Sequence, residues 1–147
     1  MLTDEIEKYV TSAGVKVVAS DLLPQNKLTR PALYISNTEE QNEKGAHWVV
    51  LGKPNEHDLI YFDALCLPPL AKYYYNFLRR NSEGVTYKSN KYPIQSETSN
   101  TCGPYSVLLI WHLRTGRSFE SFCAQFGASV AENDIKVKKL WKSFTRG

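Results

Sequence analysis

Residues 46–63, AHWVVLGKPNEHDLIYFD, decide the fold. Two apolar runs, 46–51 and 59–63, flank a connector rich in turn-forming residues, and this pattern predicts a β-hairpin. With the turn centred on the asparagine of the connector, His47 lies directly opposite Asp63. Directly opposed residues of an antiparallel pair have Cβ atoms about 4.5–5.5 Å apart, so we expect these two side chains to touch.

Shorter segments on both sides of the hairpin complete the predicted fold. Apolar spacing and capping residues predict helices over residues 3–13, 70–81, 102–115, 118–126 and 131–144, and strands over residues 15–19, 32–35 and 85–88. Polar runs predict loops over residues 36–44 and 92–101. This order indicates an α+β fold, with a central mixed or antiparallel sheet packed against the helix of Cys102 and further helices on its flanks.

Length and composition indicate one globular domain over residues 1–147. The chain has 42% hydrophobic and 22% charged residues, within the range of ordinary globular domains. No apolar run approaches the roughly 18 residues of a membrane-spanning helix, and residues 1–9 are acidic where a signal peptide would be basic and then apolar. We therefore expect a soluble monomer that is not secreted and does not contact a membrane.

The chain contains three cysteines, Cys66, Cys102 and Cys123. An odd number without C-x-x-C spacing argues against a disulfide framework and against a structural zinc site. We expect a reducing compartment, no metal and no required cofactor. Cys102 differs from the other two cysteines because it stands where a polar Ser/Asn/Thr segment turns into an apolar helix.

The predicted position of Cys102 favours a reactive thiol. A thiol at the N-terminus of a helix faces unpaired amide N–H groups and the positive end of the helix dipole. Both favour the thiolate, which is the nucleophilic form. The alternative is that Cys102 is one of the small residues that commonly fill a core. A base close to the thiol would decide between the two.

One of the three histidines is the candidate base. His112 belongs to the same predicted helix ten residues further on, about 15 Å from Cys102. His57 lies in the polar hairpin connector and is expected to be a solvated surface side chain. His47 begins an apolar strand and faces a carboxylate, which fixes one imidazole nitrogen and leaves the other to take a proton from a thiol. The alternative for His47 is a hydrogen-bonded core histidine.

Two further residues suit acyl transfer at Cys102. Gln95, in the loop before the helix, can donate an amide N–H to the oxyanion of a tetrahedral intermediate, although glutamines without a function are also common in loops. Gly103 has no side chain beside the nucleophile, which lets a substrate backbone come close.

Several short motifs resemble one protein family in their order and spacing. They are GAHWV at residues 45–49, YFD at residues 61–63, and Gln95 followed seven residues later by Cys102 and Gly103. Together they resemble the adenovirus-type, or adenain-like, maturation proteases, which are related to the proteases that remove SUMO. Two more segments, SDLLP at residues 20–24 and Asn37-Thr38, resemble versions encoded by large DNA transposons and related viruses.

The resemblance implies a cysteine endopeptidase in which a sheet packs against the cysteine helix, a rearranged relative of the papain arrangement. The catalytic residues that it implies are Cys102 as nucleophile, His47 as general base and acid, Asp63 orienting the histidine, and Gln95 in the oxyanion hole.

The resemblance also implies a narrow substrate groove. Family members cut after or near glycine pairs in capsid and core precursor proteins. The residues expected to border the groove are Trp48, Gly103 and Gly45. Trp48 would also pack near His47 and shield it, with a plain core tryptophan as the alternative.

One departure from the adenoviral pattern concerns activation. Adenoviral enzymes use a cysteine shortly before the glutamine loop to bond an activating viral peptide, and residues 83–86 contain none. Covalent activation by a peptide is therefore not expected at that place, and a peptide activator of another kind stays an open alternative. Cys66 and Cys123 could substitute for that cysteine, but we expect them to be buried structural thiols.

Charge is distributed unevenly along the chain. Residues 1–70 carry 6 Lys/Arg and 10 Asp/Glu, a net charge of −4, whereas residues 71–147 carry 12 and 5, a net charge of +7. A basic region can attract phosphate backbones. The family uses viral DNA as an activator, which would give a purpose to Arg79, Arg80, Lys136, Lys138, Lys139 and Lys142. A solvated basic surface explains these residues almost as well.

Three functions are consistent with the sequence. We predict a viral or transposon-encoded cysteine endopeptidase that cleaves capsid or core precursor proteins near glycine-containing sites during virion maturation. It would work in the virion and in the nucleus or cytoplasm of the infected cell. A protease of SUMO or ubiquitin-like modifiers is the second candidate, against which the small size argues. A non-catalytic relative that binds nucleic acid or capsid is the third, and the presence of all four catalytic residue types argues against it.

Overall fold

The computed structural model describes residues 1, 3–38, 47–69, 71–82, 86–97, 99 and 101–147. Five helices and five strands lie within these residues. The helices are α1 (Thr3–Val10), α2 (Lys72–Asn81), α3 (Cys102–Arg114), α4 (Phe119–Cys123) and α5 (Val130–Arg146). The strands are β1 (Lys16–Ala19), β2 (Ala32–Asn37), β3 (Trp48–Lys53), β4 (Ile60–Phe62) and β5 (Lys88–Ser89). Two 3-10 turns, Thr11–Ala13 and Ser20–Leu22, flank β1.

The strands form one mixed sheet in the order β1-β2-β3-β4-β5. The outer pairs, β1 with β2 and β4 with β5, are parallel, and the two inner pairs are antiparallel. This confirms the predicted α+β class and the mixed sheet. The predicted strand over residues 85–88 is displaced, because β5 begins only at Lys88 and residue 85 lies outside the described residues.

The β3–β4 hairpin forms with a register that differs from the predicted one. Val50 pairs with Phe62, which centres the turn one residue later than predicted. The side chain of Asn55 explains the shift, because its Oδ1 accepts the backbone N–H groups of His57 and Asp58 at 2.8 Å each. Such a side-chain turn builds the reversal from the residues after the asparagine rather than around it.

The new register changes which residue faces Asp63. Continued past the last pair, it puts Asp63 opposite Val49, so the predicted direct pairing of Asp63 with His47 is wrong. The pairing partner moves by two residues, and side chains alternate between the faces of a sheet with a period of two. His47 therefore lies on a diagonal from Asp63, a separation that a long side chain can bridge.

Helices cover both faces of the sheet. On one face, α2 buries Tyr74 and Phe77 against β2, β3 and β4. On the other face, α1, α3, α4 and α5 pack against residues such as Val50 and Phe62. Burial of each such side chain contributes about 1.5–3 kcal/mol. Helix α3 is apolar over most of its length and buries seven of its residues, which holds its first residue, Cys102, firmly against the sheet.

The remaining predicted elements are present with shifted ends. Helix α4 is shorter than predicted and is capped by Ser118, whose Oγ accepts the N–H of Ser121 at 3.0 Å. Helix α5 is longer and is capped in the same way by Ser129. In the described part of the chain, no helix combines the length and the apolar character that crossing a bilayer requires.

Candidate active site

His47 and Asp63 are in direct contact at the open end of the hairpin. His47 directly precedes β3, Asp63 directly follows β4, and His47 Nε2 lies 2.6 Å from Asp63 Oδ1. The side chain of Asp63 is only 4% exposed. Its Oδ1 also accepts the backbone N–H of Leu65 at 2.9 Å. The carboxylate is thus fixed by two donors, and it fixes the imidazole in turn.

Cys102 completes the contact on the other side of the imidazole. It is the first residue of α3 and is 8% exposed. Its thiol lies beside the side chain of His47 and the backbone N–H of Trp48, and both lower its pKa. Because Asp63 occupies Nε2 of His47, Nδ1 is the nitrogen left for the sulfur.

The two partners of this contact titrate in opposite directions. Burial alone would lower the pKa of His47, but its hydrogen bonds with Asp63 and Cys102 and the charges of both raise that pKa to about 9. Burial alone would raise the pKa of Cys102, but the hydrogen bonds from His47 and Trp48 bring that pKa below its usual value. Near neutral pH both shifts favour a thiolate beside an imidazolium.

Gln95 lies in the loop that leads into α3 and is almost completely buried. Its backbone N–H donates to the carbonyl of Ala64 at 2.9 Å, and its side-chain Nε2 donates to the carbonyl of Ser99 at 2.9 Å. An amide nitrogen carries two hydrogens, so Nε2 can serve a second acceptor while it keeps Ser99. Among the residues that the structure describes, its Oε1 has no hydrogen-bond partner.

Met1 occupies the space beside Gly103. A Cβ added to Gly103 would lie 2.7 Å from the Sδ of Met1. The carbonyl of Met1 also accepts the indole N–H of Trp48 at 3.0 Å. An unbranched, flexible side chain of the protein itself therefore packs where a larger residue at position 103 would place its side chain.

Trp48 lies in the apolar core, which is the alternative interpretation given to it. Its indole is 4% exposed and belongs to the apolar core beneath α3, as a plain core tryptophan does. Its backbone N–H nevertheless reaches the thiol of Cys102, so Trp48 belongs to the site through its main chain. Gly45, the other residue expected to border the substrate, lies outside the described residues.

The two other histidines lie away from this contact, as predicted. His57 is exposed in the hairpin turn. His112 lies in the last turn of α3, where its Nε2 contacts Ser121 Oγ at 2.8 Å and the Ser118 carbonyl at 3.0 Å. Neither histidine is available to the thiol of Cys102.

The six basic residues do not form one surface. Arg79 and Arg80 lie on α2 and the four lysines on α5, and these helices cover opposite faces of the sheet. Arg80 Nε donates to the carbonyl of Pro24 at 3.1 Å, and Lys136 Nζ donates to the carbonyl of Gln125 at 2.6 Å. Two of the six thus have structural partners. The exposed lysines left on α5 are Lys138, Lys139 and Lys142.

Asn90 is a residue of the site that sequence reasoning missed. Its side-chain Nδ2 donates to the Asp63 carbonyl at 2.8 Å, and its Oδ1 accepts the Asp63 N–H at 3.4 Å. It therefore clamps the backbone of the residue that orients His47. An asparagine in a polar stretch gives no local signal for this role, because its partner is 27 residues away.

The other cysteines are free and only half-buried, whereas buried thiols were predicted for Cys66 and Cys123. Within the described residues, no group of three or more His, Cys, Asp or Glu side chains could hold a metal ion.

Comparison of the chain with models of protein families gives no match, and comparison with curated proteins gives no significant match. Membership in the adenain-like family stays a prediction. It rests on the quoted motifs, and the chemistry rests on the contacts around Cys102.

Proposed function

We propose that this protein is a cysteine endopeptidase of the adenain-like type, with Cys102 as nucleophile. One observation carries the proposal. The imidazole of His47 bridges a buried carboxylate and a buried thiol, and the pKa values of imidazole and thiol move in the directions that create a thiolate–imidazolium pair. A nucleophile, a base within reach of it and a third group orienting that base are the three parts of nucleophilic acyl transfer.

Acylation begins with attack of the Cys102 thiolate on the carbonyl carbon of the scissile peptide bond. A carbon–sulfur bond forms, and the electron pair of the carbonyl moves to oxygen. The backbone N–H groups at the start of α3 and the amide of Gln95 are the donors for this oxyanion. The electron pair on oxygen then re-forms the carbonyl as the carbon–nitrogen bond breaks, the departing nitrogen takes the Nδ1 proton of His47, and a thioester remains.

Deacylation reverses the role of His47. Now neutral, its Nδ1 takes a proton from a water molecule, whose oxygen attacks the thioester carbon. The carbon–sulfur bond breaks, the carboxylic product leaves, and the thiolate and the imidazolium form again. Asp63 holds Nε2 of His47 throughout, which keeps Nδ1 directed at the sulfur.

The substrate class follows from the resemblance and from the space beside the nucleophile. We propose that the substrates are capsid or core precursor proteins cut near glycine pairs. We also propose that the fold is a rearranged relative of the papain arrangement. Glycine residues suit a site in which the Met1 side chain packs against Gly103, the residue that follows the nucleophile. Met1 can turn aside at low cost because its side chain is unbranched.

A cleavage assay tests the proposal. The substrate is an internally quenched peptide with one Gly-Gly site, and the variants are Cys102→Ala and, as a matched control, Cys123→Ala. We expect cleavage to fall at least about 1000-fold in Cys102→Ala, because the nucleophile is gone, and to be unchanged in the control. Full cleavage by folded Cys102→Ala, or no cleavage of any Gly-Gly peptide in a panel by the unaltered protein, contradicts the proposal.

A further inference from the structure

Asp134 is a buried carboxylate in α5 that the proposed chemistry does not use. It is 6% exposed. Its Oδ1 accepts the hydroxyls of Tyr105 at 3.0 Å and Thr101 at 3.2 Å. Its Oδ2 accepts the backbone N–H of Ser96 at 3.1 Å. The three donors come from the Gln95 loop and from the beginning of α3.

The positions of these donors matter more than their number. Ser96 follows Gln95 directly, and Thr101 precedes Cys102 directly. One carboxylate thus joins the neighbour of the proposed oxyanion donor to the neighbour of the proposed nucleophile. We infer that Asp134 is a positioning residue, which holds the Gln95 loop and the first turn of α3 at the spacing that the oxyanion needs. The inference rests on the proposed function.

The three hydrogen bonds of Asp134 fix the Gln95 loop and the beginning of α3 relative to α5. A buried carboxylate is costly unless donors satisfy it, and an ionised carboxylate is an acceptor only, so all three partners must present hydrogens to it. Burial and the neighbouring Asp134 carboxylate raise the pKa of Tyr105, which keeps its phenol protonated as a donor. Reorienting any of the three groups would cost the buried carboxylate one of its donors.

Neighbouring contacts stiffen the same loop. Asn133, the residue before Asp134, donates from Nδ2 to the carbonyls of Ile94 at 3.2 Å and Gly127 at 2.9 Å. Inside the loop, Gln95 Nε2 holds the Ser99 carbonyl at 2.9 Å. The start of α5 therefore forms hydrogen bonds with the residues on either side of Gln95, namely Ile94 and Ser96. Oxyanion donors must stand about 2.7–3.1 Å from the developing charge, so a loose loop would weaken them.

The test measures kcat and KM on the Gly-Gly peptide for Asp134→Ala and Asp134→Asn. We expect Asp134→Ala to lower kcat at least about tenfold, with KM changed by less than about threefold, since a misplaced donor affects the transition state most. Asp134→Asn should recover part of kcat, because its amide oxygen can accept from Ser96 while the two hydroxyls turn to accept from its NH₂.

Two measurements separate positioning from general destabilisation. Val137→Ala removes buried volume from the same helix and is the stability-matched control, which should keep its kcat. The pH midpoint for alkylation of Cys102 should be unchanged in all three variants, because the hydrogen bonds that stabilise its thiolate come from His47 and Trp48.

A double-mutant cycle with Gln95→Ala completes the test. If Asp134 acts through the Gln95 loop, the double variant Gln95→Ala/Asp134→Ala cleaves about as slowly as Gln95→Ala alone. Full kcat in Asp134→Ala, or losses that multiply in the double variant, overturns the inference while Cys102→Ala still abolishes cleavage. Cleavage that persists in Cys102→Ala overturns the proposed function and this inference with it.

Discussion

Cys102 and Cys123 are thiols of the same chain in opposite electrostatic environments. Cys102 is the first residue of α3, and Cys123 is the last residue of α4. Burial, helped by the charges of Glu120 and Cys66, raises the pKa of Cys123 to about 12. The pKa of Cys102 is lowered although Cys102 is the more deeply buried of the two.

The contrast shows that donors, rather than burial, decide which thiol can react. Burial is the largest influence on both thiols and opposes ionisation in both. At Cys102 it is outweighed by hydrogen bonding from His47 and the Trp48 N–H together with the charges of His47 and of the amino terminus. The helix dipole acts in the same sense, because the N-terminal end of a helix favours an anion and the C-terminal end disfavours it.

Alkylation of the unaltered protein tests the contrast most directly, because it compares the two thiols in one sample. At pH 7 we expect iodoacetamide to modify Cys102 at least ~100-fold faster than Cys123, because the thiolate is the reactive form. Mass spectrometry of time points gives both rates from one sample. Equal rates for the two thiols in folded protein would remove the basis of the comparison.

The pH dependence of peptide cleavage should follow from the same pair. Cleavage should rise with pH as Cys102 ionises, at a pH below the usual pKa of a thiol. It should fall again as pH passes about 9, where His47 loses the proton that the leaving nitrogen needs. Alkylation of Cys102 should not fall there, since the thiolate persists. A cleavage rate still rising above pH 10 would contradict this assignment.

Replacing His47 should make the pKa values of Cys102 and Cys123 more alike. In His47→Ala the largest donor to the sulfur is lost, so burial should raise the pKa of Cys102 and its alkylation midpoint should move to higher pH. We expect kcat/KM for the peptide to fall at least about 1000-fold, since base and acid are both removed. His57→Ala, on the exposed turn, is the matched control and should behave as the unaltered protein.

The smallest expected effect concerns Asn90, which contacts both Asp63 and Cys66. Its side chain clamps Asp63, and its carbonyl accepts the thiol hydrogen of Cys66 at 3.2 Å. Asn90→Ala leaves the second bond and removes the first, which should cost about 1–3 kcal/mol of unfolding free energy and lower kcat several-fold. Chemical denaturation and the peptide assay measure the two effects. Asn76→Ala, at an exposed position, is the control. Equal unfolding free energies and equal kcat values for the two variants would show that the contact of Asn90 with Asp63 contributes to neither.

Local patterns predicted the elements, because each depends on residues close together in the chain. The apolar runs on either side of the 52–58 connector predicted the hairpin, and the polar-to-apolar change at Cys102 predicted the start of α3. The pairing register could not be predicted from the sequence, because it depends on the hydrogen bonds that the Asn55 side chain makes with the main chain. A centre misplaced by one residue was enough to give His47 the wrong partner in the strand pairing, although the predicted contact of its side chain with Asp63 is confirmed.

The same limit separates the predicted residues of the site from the missed ones. His47, Asp63, Gln95 and Cys102 stand in recognisable motifs, so their residue types and order were sufficient to name them. Asn90 and Asp134 act through partners 27 to 38 residues away and stand in no motif. The residues next to Asn90 and Asp134 in the sequence give no signal for these contacts.

The amino-acid sequence by itself determined the α+β class, the hairpin and the cysteine at a helix start, and it made His47 the candidate base. Those follow from periodicity and turn chemistry, which act over a few residues. Only the tertiary structure decided the register, the Met1 side chain beside Gly103, the splitting of the basic residues between two faces and the buried contacts of Asp134. These depend on which distant segments meet when the core closes, because burial and hydrogen bonding act across those contacts.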